Sequence, residues 1–321
     1  MEDVSTPRQT PSSVDRWDRL VRESNPLLIK ELRGRMRGAR AFIVLTVYLL
    51  LLSCFTAIVY YAYTASVSGP GGGFEMAYLG KVIFASVVLI EVFMVVFITP
   101  AFTAGAISGE RERKTYELLR ATLLPAHKLV FGKLAAALMY MFLLILAAVP
   151  LESLAFVLGG VVVEELVLAL VILLVTALAF ATFGLFFSSF TRTTLVSTVL
   201  TYAMALLATI GLPAILLISA TVLMGPVLYG YGSSIPSSWV VEAVLTYLLY
   251  FSAGLSPITA AVFTEVALEE ESAVLYFWHT LSSGQRLPIP SAWLVYAVVY
   301  IALTLVLLLI TVLRVRRQEA S

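Results

Sequence analysis

Apolar residues run through this chain in blocks too long for an ordinary soluble core. Six blocks, at about 41–63, 81–107, 134–158, 166–190, 194–224 and 293–313, carry almost no charge. Each matches or exceeds the roughly 20 residues an α-helix needs to cross a hydrocarbon core about 30 Å thick. Lipid offers backbone polar groups no partner outside their own segment, so the blocks predict six transmembrane helices. The fifth contains Gly211 and Pro213, which predicts a kink. Between the fifth and sixth, "SSWVVEAVLTYLLYFSAGLSPITAAVF" is also apolar enough to enter a bilayer. It predicts two short helices that enter and turn back near Gly254–Pro257, or a helix pair lying on the outer surface. One extra full span would carry the basic tail "RVRRQ" across the membrane, against the charge rule below.

Polar positions complete the pattern. In "SNPLLIKELRGRMRGAR", Asn25 can cap a helix and Pro26 suits its first turn. Leu28, Leu32 and Met36 then form an apolar stripe, with Lys30, Arg33, Arg37 and Arg40 largely on another face. This predicts a helix lying in the membrane interface with its cations toward anionic head groups. After the second block comes "AISGERERKTYELLRATLLPAHKLVFGKL". Its residues from Glu110 to Thr122 are mostly good helix formers, with Glu110 and Glu112 at the start, where a helix dipole favours acids. Pro125 ends or turns that helix. Tyr116, Leu119 and Leu123 share a face, so the segment fits either a partner's groove or the lipid surface.

Composition agrees: 60% of residues are hydrophobic, 13% are charged and the mean hydropathy is +0.96. Soluble domains usually carry about 25% charge. The first forty residues are polar, so no cleavable leader is expected. The single cysteine, Cys54, permits neither an internal disulfide nor a cysteine-based metal site. Nineteen of the 21 Lys and Arg residues fall in 1–40, 108–133, 191–193 and 314–321, which an even span count puts on one side. The positive-inside rule makes that side cytoplasmic, with both termini there. Lys81 and Arg286 remain outside, among Glu75, Glu164, Glu165, Glu242, Glu265 and Glu269–Glu271.

Chemistry-bearing residues are few. Glu91 is the one clear charge deep in a span, and such groups usually face protein or water. It could touch cargo or hold a proton on a translocation path, or be a protonated group hydrogen-bonded between helices. Glu152, after Pro150, is expected to reach interfacial water. His127 is expected on the cytoplasmic side and His279 outside, so neither pairs with a membrane serine, and no His-Glu-x-x-His motif occurs. An intramembrane hydrolase is therefore not expected. The pairs Gly80-Lys81 and Gly132-Lys133 lack the upstream glycine and following hydroxyl of a phosphate-binding loop. The aromatics of "YFWHT", with Trp239 and Trp293, read as an interfacial belt.

The loop after the second block resembles the first cytoplasmic loop of ABC transporter permeases of the type-2 (export) class. Glu110, Arg111, Glu112, Thr115, Glu117, Leu118, Leu119, Thr122, Gly132 and Lys133 fit that family's pattern. Lys114 stands where glycine is usual, and Leu123 where proline is usual, with Pro125 two residues later. "NPLLIKELRGRMRGARAF" resembles the family's interfacial helix, "FGLFFSSFTRTTLVSTVLTYAM" its fourth-to-fifth junction and "GLSPITA" its outer re-entrant segment.

The resemblance implies an all-α polytopic membrane protein. It would have a polar tail, 1–24, and one permease domain, 25–321, comprising the six spans, a coupling loop at 108–133 and an external segment at 225–292. It implies a transport subunit of an ATP-driven exporter, not an enzyme. Glu110, Arg111, Glu112, Arg113, Thr115, Tyr116, Glu117, Leu118, Leu119 and Leu123 would couple it to a cytoplasmic ABC ATPase. This chain would bind no cofactor, and ATP and Mg would sit on that ATPase. A second permease subunit, identical or different, and the lipid of the cell membrane are the other expected partners, with no nucleic acid. An ATP-independent transporter or channel using Glu91 is the alternative.

Overall fold

The computed structural model describes residues 39–67, 76–115, 125–215, 218, 219, 222, 239–271, 274–281 and 284–320. Among the described residues, six helices are long and apolar enough to span a membrane. In chain order the elements are α1 (Ala39–Val67), α2 (Met76–Thr103), a short α3 (Ser108–Glu112), α4 (Ala126–Leu158), α5 (Val163–Phe190) and α6 (Thr194–Leu206). A π-helical turn, Leu207–Gly211, continues α6. Then come α7 (Trp239–Ala253), α8 (Pro257–Glu271), β1 (Tyr276–Thr280), β2 (Arg286–Pro290) and α9 (Ala292–Ala320). The expected interfacial helix, with Asn25, Pro26, Leu28, Lys30, Leu32, Arg33, Met36 and Arg37, lies outside the described residues. So do Tyr116, Glu117, Leu118, Leu119 and Leu123.

α5 is the most enclosed span, packed on α2, α4, α6 and α9, while α1 is the least buried. Small residues make this possible. A Cβ on Gly184 of α5 would lie 2.0 Å from Thr103 Oγ1 and 2.9 Å from the backbone nitrogen of Ala104, so the two helices cross at a separation only glycine allows. Ala177, Ala181, Thr182 and Ser188 are buried along the same helix.

One boundary differs from the hydropathy pattern. The third span begins at Ala126, not near 134. Its first two turns are amphipathic: Ala126, Leu129 and Val130 are buried with Ile107, Leu185, Leu308 and Val315, while His127 and Lys128 face outward. A window tuned to continuous apolarity discards such an extension. The fifth span carries the π turn Leu207–Gly211 just ahead of Pro213. Pro213 has no N–H to give to the Thr209 carbonyl one turn back, and Ser256 Oγ donates to that carbonyl at 3.1 Å.

α7 and α8 form a helix pair bent by 117°. Its tip is buried between spans: Tyr300 of α9 donates to the Leu255 carbonyl at 2.8 Å, Ser256 is fully enclosed, and Gly254 lies against Val295. Tyr300 sits roughly 12 Å along α9 from its start, so the tip of the pair packs beside the body of that helix. The segment "YFWHT", read as an aromatic belt, is β1 of a hairpin with β2, with Phe277 opposite Ile289. Both residues are buried, and Tyr247 of α7 donates to the Pro288 carbonyl at 2.9 Å.

Candidate functional site

The charged segment after α2 does not continue as one helix from Glu110. The chain leaves α2 through turns at Ala104–Ile107, forms the five residues of α3, and turns again at Arg113 and Lys114. Lys114 has φ +57°, in the left-handed region. Side chains with a Cβ pay about 1–2 kcal/mol there, whereas glycine does not. The departure of Lys114 from a usual glycine thus falls on a position whose backbone favours glycine, and the turn is what breaks the expected helix.

What holds this segment is the junction between α5 and α6. Ser188 Oγ accepts the backbone N–H groups of Ile107 and Ser108, both at 2.9 Å, and supplies a partner at the start of α3 that a helix N-terminus lacks. Arg111 donates to the carbonyl of Thr191 at 3.0 Å, where α5 ends. Glu112 accepts the backbone N–H and the hydroxyl of Thr194, each at 2.9 Å, where α6 begins. Thr193, the capping residue of α6, makes no side-chain cap bond of its own, so Glu112 takes that role. A cation therefore meets the negative end of one helix dipole and an anion the positive end of the next. Two adjacent residues clasp the junction from outside it.

Glu110 faces the other way. Its carboxylate pairs with Lys133 of α4 at 3.4 Å and accepts a hydrogen bond from the Thr115 hydroxyl. Lys133 is only 4% exposed, so Glu110 neutralises a buried cation and joins the acidic and Gly-Lys ends of the loop motif. Arg113 and Lys114 are exposed. Arg314, near the end of α9, lies 4.1 Å over the Phe190 ring and adds a cation–π contact to the same region. Glu110 lies in the first turn of its own helix, as expected, and also neutralises a buried lysine. Glu112, at the end of α3, instead serves a helix that begins 82 residues later.

The sequence pattern did not single out Ser188, Thr191 or Thr194. Their signals were the resemblance of the stretch around them to a fourth-to-fifth junction and the run of small hydroxyl residues in "FFSSFTRTT", between two apolar blocks.

Glu91 lies in α2 and is fully buried. Tyr48 of α1 donates its hydroxyl to Glu91 Oε1 at 2.9 Å. Glu152 corrects an expectation: it does not reach interfacial water but is 5% exposed, with its carboxyl close to that of Glu91. Side chains on a helix lean toward its N-terminus. Because α2 and α4 run in opposite directions, Glu91 and Glu152 lean toward each other.

A family model described as ABC-2 family transporter protein covers residues 26–319. No curated protein matches the chain.

Proposed function

This chain belongs to the ABC-2 family of transporter proteins and is a multi-pass permease subunit of an ABC transporter, and we propose that a separate cytoplasmic ATPase drives it through the segment held by Arg111 and Glu112. ATP and Mg sit on that ATPase. The nineteen clustered cations favour a cell-membrane orientation with 108–133 and both termini in the cytoplasm. Two permease subunits, identical or different, enclose the path, and cargo leaves the cell.

The observation that carries this reading is the clasp on the α5–α6 junction. Any force applied to residues 116–124 reaches the clasp through Thr115. It passes to α5 and α6 by Arg111 and Glu112, and to α4 by the Glu110–Lys133 pair. The spacing of Tyr116, Leu119 and Leu123 supports an apolar anchor for the ATPase, flanked by Arg113 and Glu117, with Leu118 beside it. Truncating a buried interface anchor costs about 2 kcal/mol or more, and rim charges usually cost less.

The test reconstitutes the permease with its ATPase and follows copurification and cargo-stimulated ATP hydrolysis. Leu119→Glu is expected to detach the ATPase. The double variant Arg111→Ala/Glu112→Ala is expected to keep the ATPase bound while hydrolysis loses its response to cargo. Unchanged association and stimulation in Leu119→Glu would sink the proposal. Cargo movement by the permease alone, without ATP, would favour a transporter or channel centred on Glu91.

A further inference from the structure

The coupling segment makes no use of the group buried between α1, α2 and α4. Glu91 has neighbours one turn away on α2, Val87, Val88 and Val95, that are 0%, 6% and 0% exposed. Tyr48, 1% exposed, closes the site from α1 and occupies Glu91 Oε1. Glu152 closes it from α4. Written as carboxylates, Glu91 and Glu152 are both acceptors only, so their contact is not a hydrogen bond. Oε2 of Glu91 accordingly has no donor, although it is fully enclosed. Buried acceptors without donors are rare because each forfeits its hydration with no return. Two carboxylates brought together in apolar surroundings also repel strongly.

The chemistry that resolves both problems is a proton. We infer that Glu91 and Glu152 form a proton-binding carboxyl pair, capped by the Tyr48 hydroxyl, that joins α1, α2 and α4 within the membrane. A proton on one carboxylate makes an O–H donor, the facing oxygen accepts, and the pair's charge falls by one. The close packing suits a proton and not a larger cation. Loss of the proton leaves two facing anions, so proton occupancy and the α2–α4 contact form one equilibrium.

Among the described residues, no other titratable group faces the pair. Tyr140 on α4 and Tyr202 on α6 donate to the carbonyls of Ala41 and Phe97. Lys81 on α2 pairs with Glu269 on α8 at 3.1 Å, and Glu165 and Glu265 belong to that group near the start of α2. This inference does not depend on the ATPase coupling and is tested without it.

The experiment is infrared spectroscopy of the full chain in lipid nanodiscs, in H2O and D2O, across neutral to alkaline pH, with Glu165→Gln/Glu265→Gln introduced in every sample, the one with the wild-type pair included, so that those separate carboxyls add no band. The wild-type pair is expected to show a protonated-carboxyl carbonyl band at neutral pH that shifts on deuteration and disappears as pH rises. Thermal stability should fall over the same pH range. Glu91→Gln and Glu152→Gln should each remove that band and flatten the pH dependence, because an amide N–H donates to the remaining carboxylate at every pH. Tyr48→Phe, the mildest change, should keep the band but move it to higher frequency, since one donor to the pair is lost. Absence of the band with the wild-type pair, or its persistence in both Glu91→Gln and Glu152→Gln, would overturn the inference. If a glutamine variant fails to assemble, a band unmoved by Tyr48→Phe does the same.

Discussion

Removing the Glu112 carboxylate should open the start of α6 and leave the rest of the span alone. Glu112 supplies two hydrogen bonds to Thr194, and Thr193 offers no alternative cap. Loss of a helix cap costs about 0.5–2 kcal/mol, and the charge itself contributes about 0.3–1 kcal/mol near a helix terminus. Glu112 is solvent-exposed, so its electrostatic share is discounted toward the low end. About 1 kcal/mol is the resulting expectation for Glu112→Ala, which corresponds to roughly a fivefold increase in local opening. Hydrogen–deuterium exchange reads this directly. The Thr194 amide should exchange about five times faster, with the cap lost and the span otherwise folded. Ser197 is an internal reference, because its amide bonds to the Thr193 carbonyl at 3.2 Å and reports the first helical turn. Glu112→Gln keeps one acceptor oxygen but loses the charge and the second acceptor, so it should fall between wild type and alanine. Equal Thr194 exchange in wild type and Glu112→Ala would refute the assignment of Glu112 as the cap of α6.

Two further outcomes follow from single backbone positions. Lys114→Gly should raise thermal stability in detergent, by about 0.5–1 kcal/mol after the entropy of glycine offsets part of the left-handed strain, and Lys114→Val should lower it. A less stable glycine variant would contradict the observed φ of +57°. Gly184→Ala should destabilise by about 1–3 kcal/mol through overpacking, because its Cβ would meet Thr103 and the backbone of Ala104. Gly105→Ala, with its nearest neighbour 3.6 Å away, should be tolerated, and equal melting temperatures for the two would argue against the close α2–α5 crossing.

Glu91 shows how far one-dimensional reading reaches. Its depth in an apolar block marked it as unusual, because charge in lipid is costly whatever surrounds it. Its partner was misplaced. Distance from the end of the block put Glu152 at the interface, and only the lean of side chains on antiparallel helices brought it to Glu91. Lys114 was visible as a departure from the family's usual glycine, but its cause, a left-handed turn, is a property of the folded backbone. The hairpin of β1 and β2 escaped notice because two five-residue strands rich in aromatics and proline have no clear periodicity between long helices.

Six candidate spans, the clustering of cations, the break at Gly254–Pro257 and the family motifs are all legible along the chain. These depend on sums over a segment: lipid forces each long apolar block to satisfy its own backbone, and charge clusters by loop. Tertiary structure decided which polar groups meet. Arg111 and Thr191 are 80 positions apart, and Glu112 and Thr194 are 82 apart. No local propensity links them. They come together because Gly184 lets α2 and α5 cross closely, which lays the turn after α2 against the place where α5 ends and α6 begins, where unpaired backbone groups of both helices need partners.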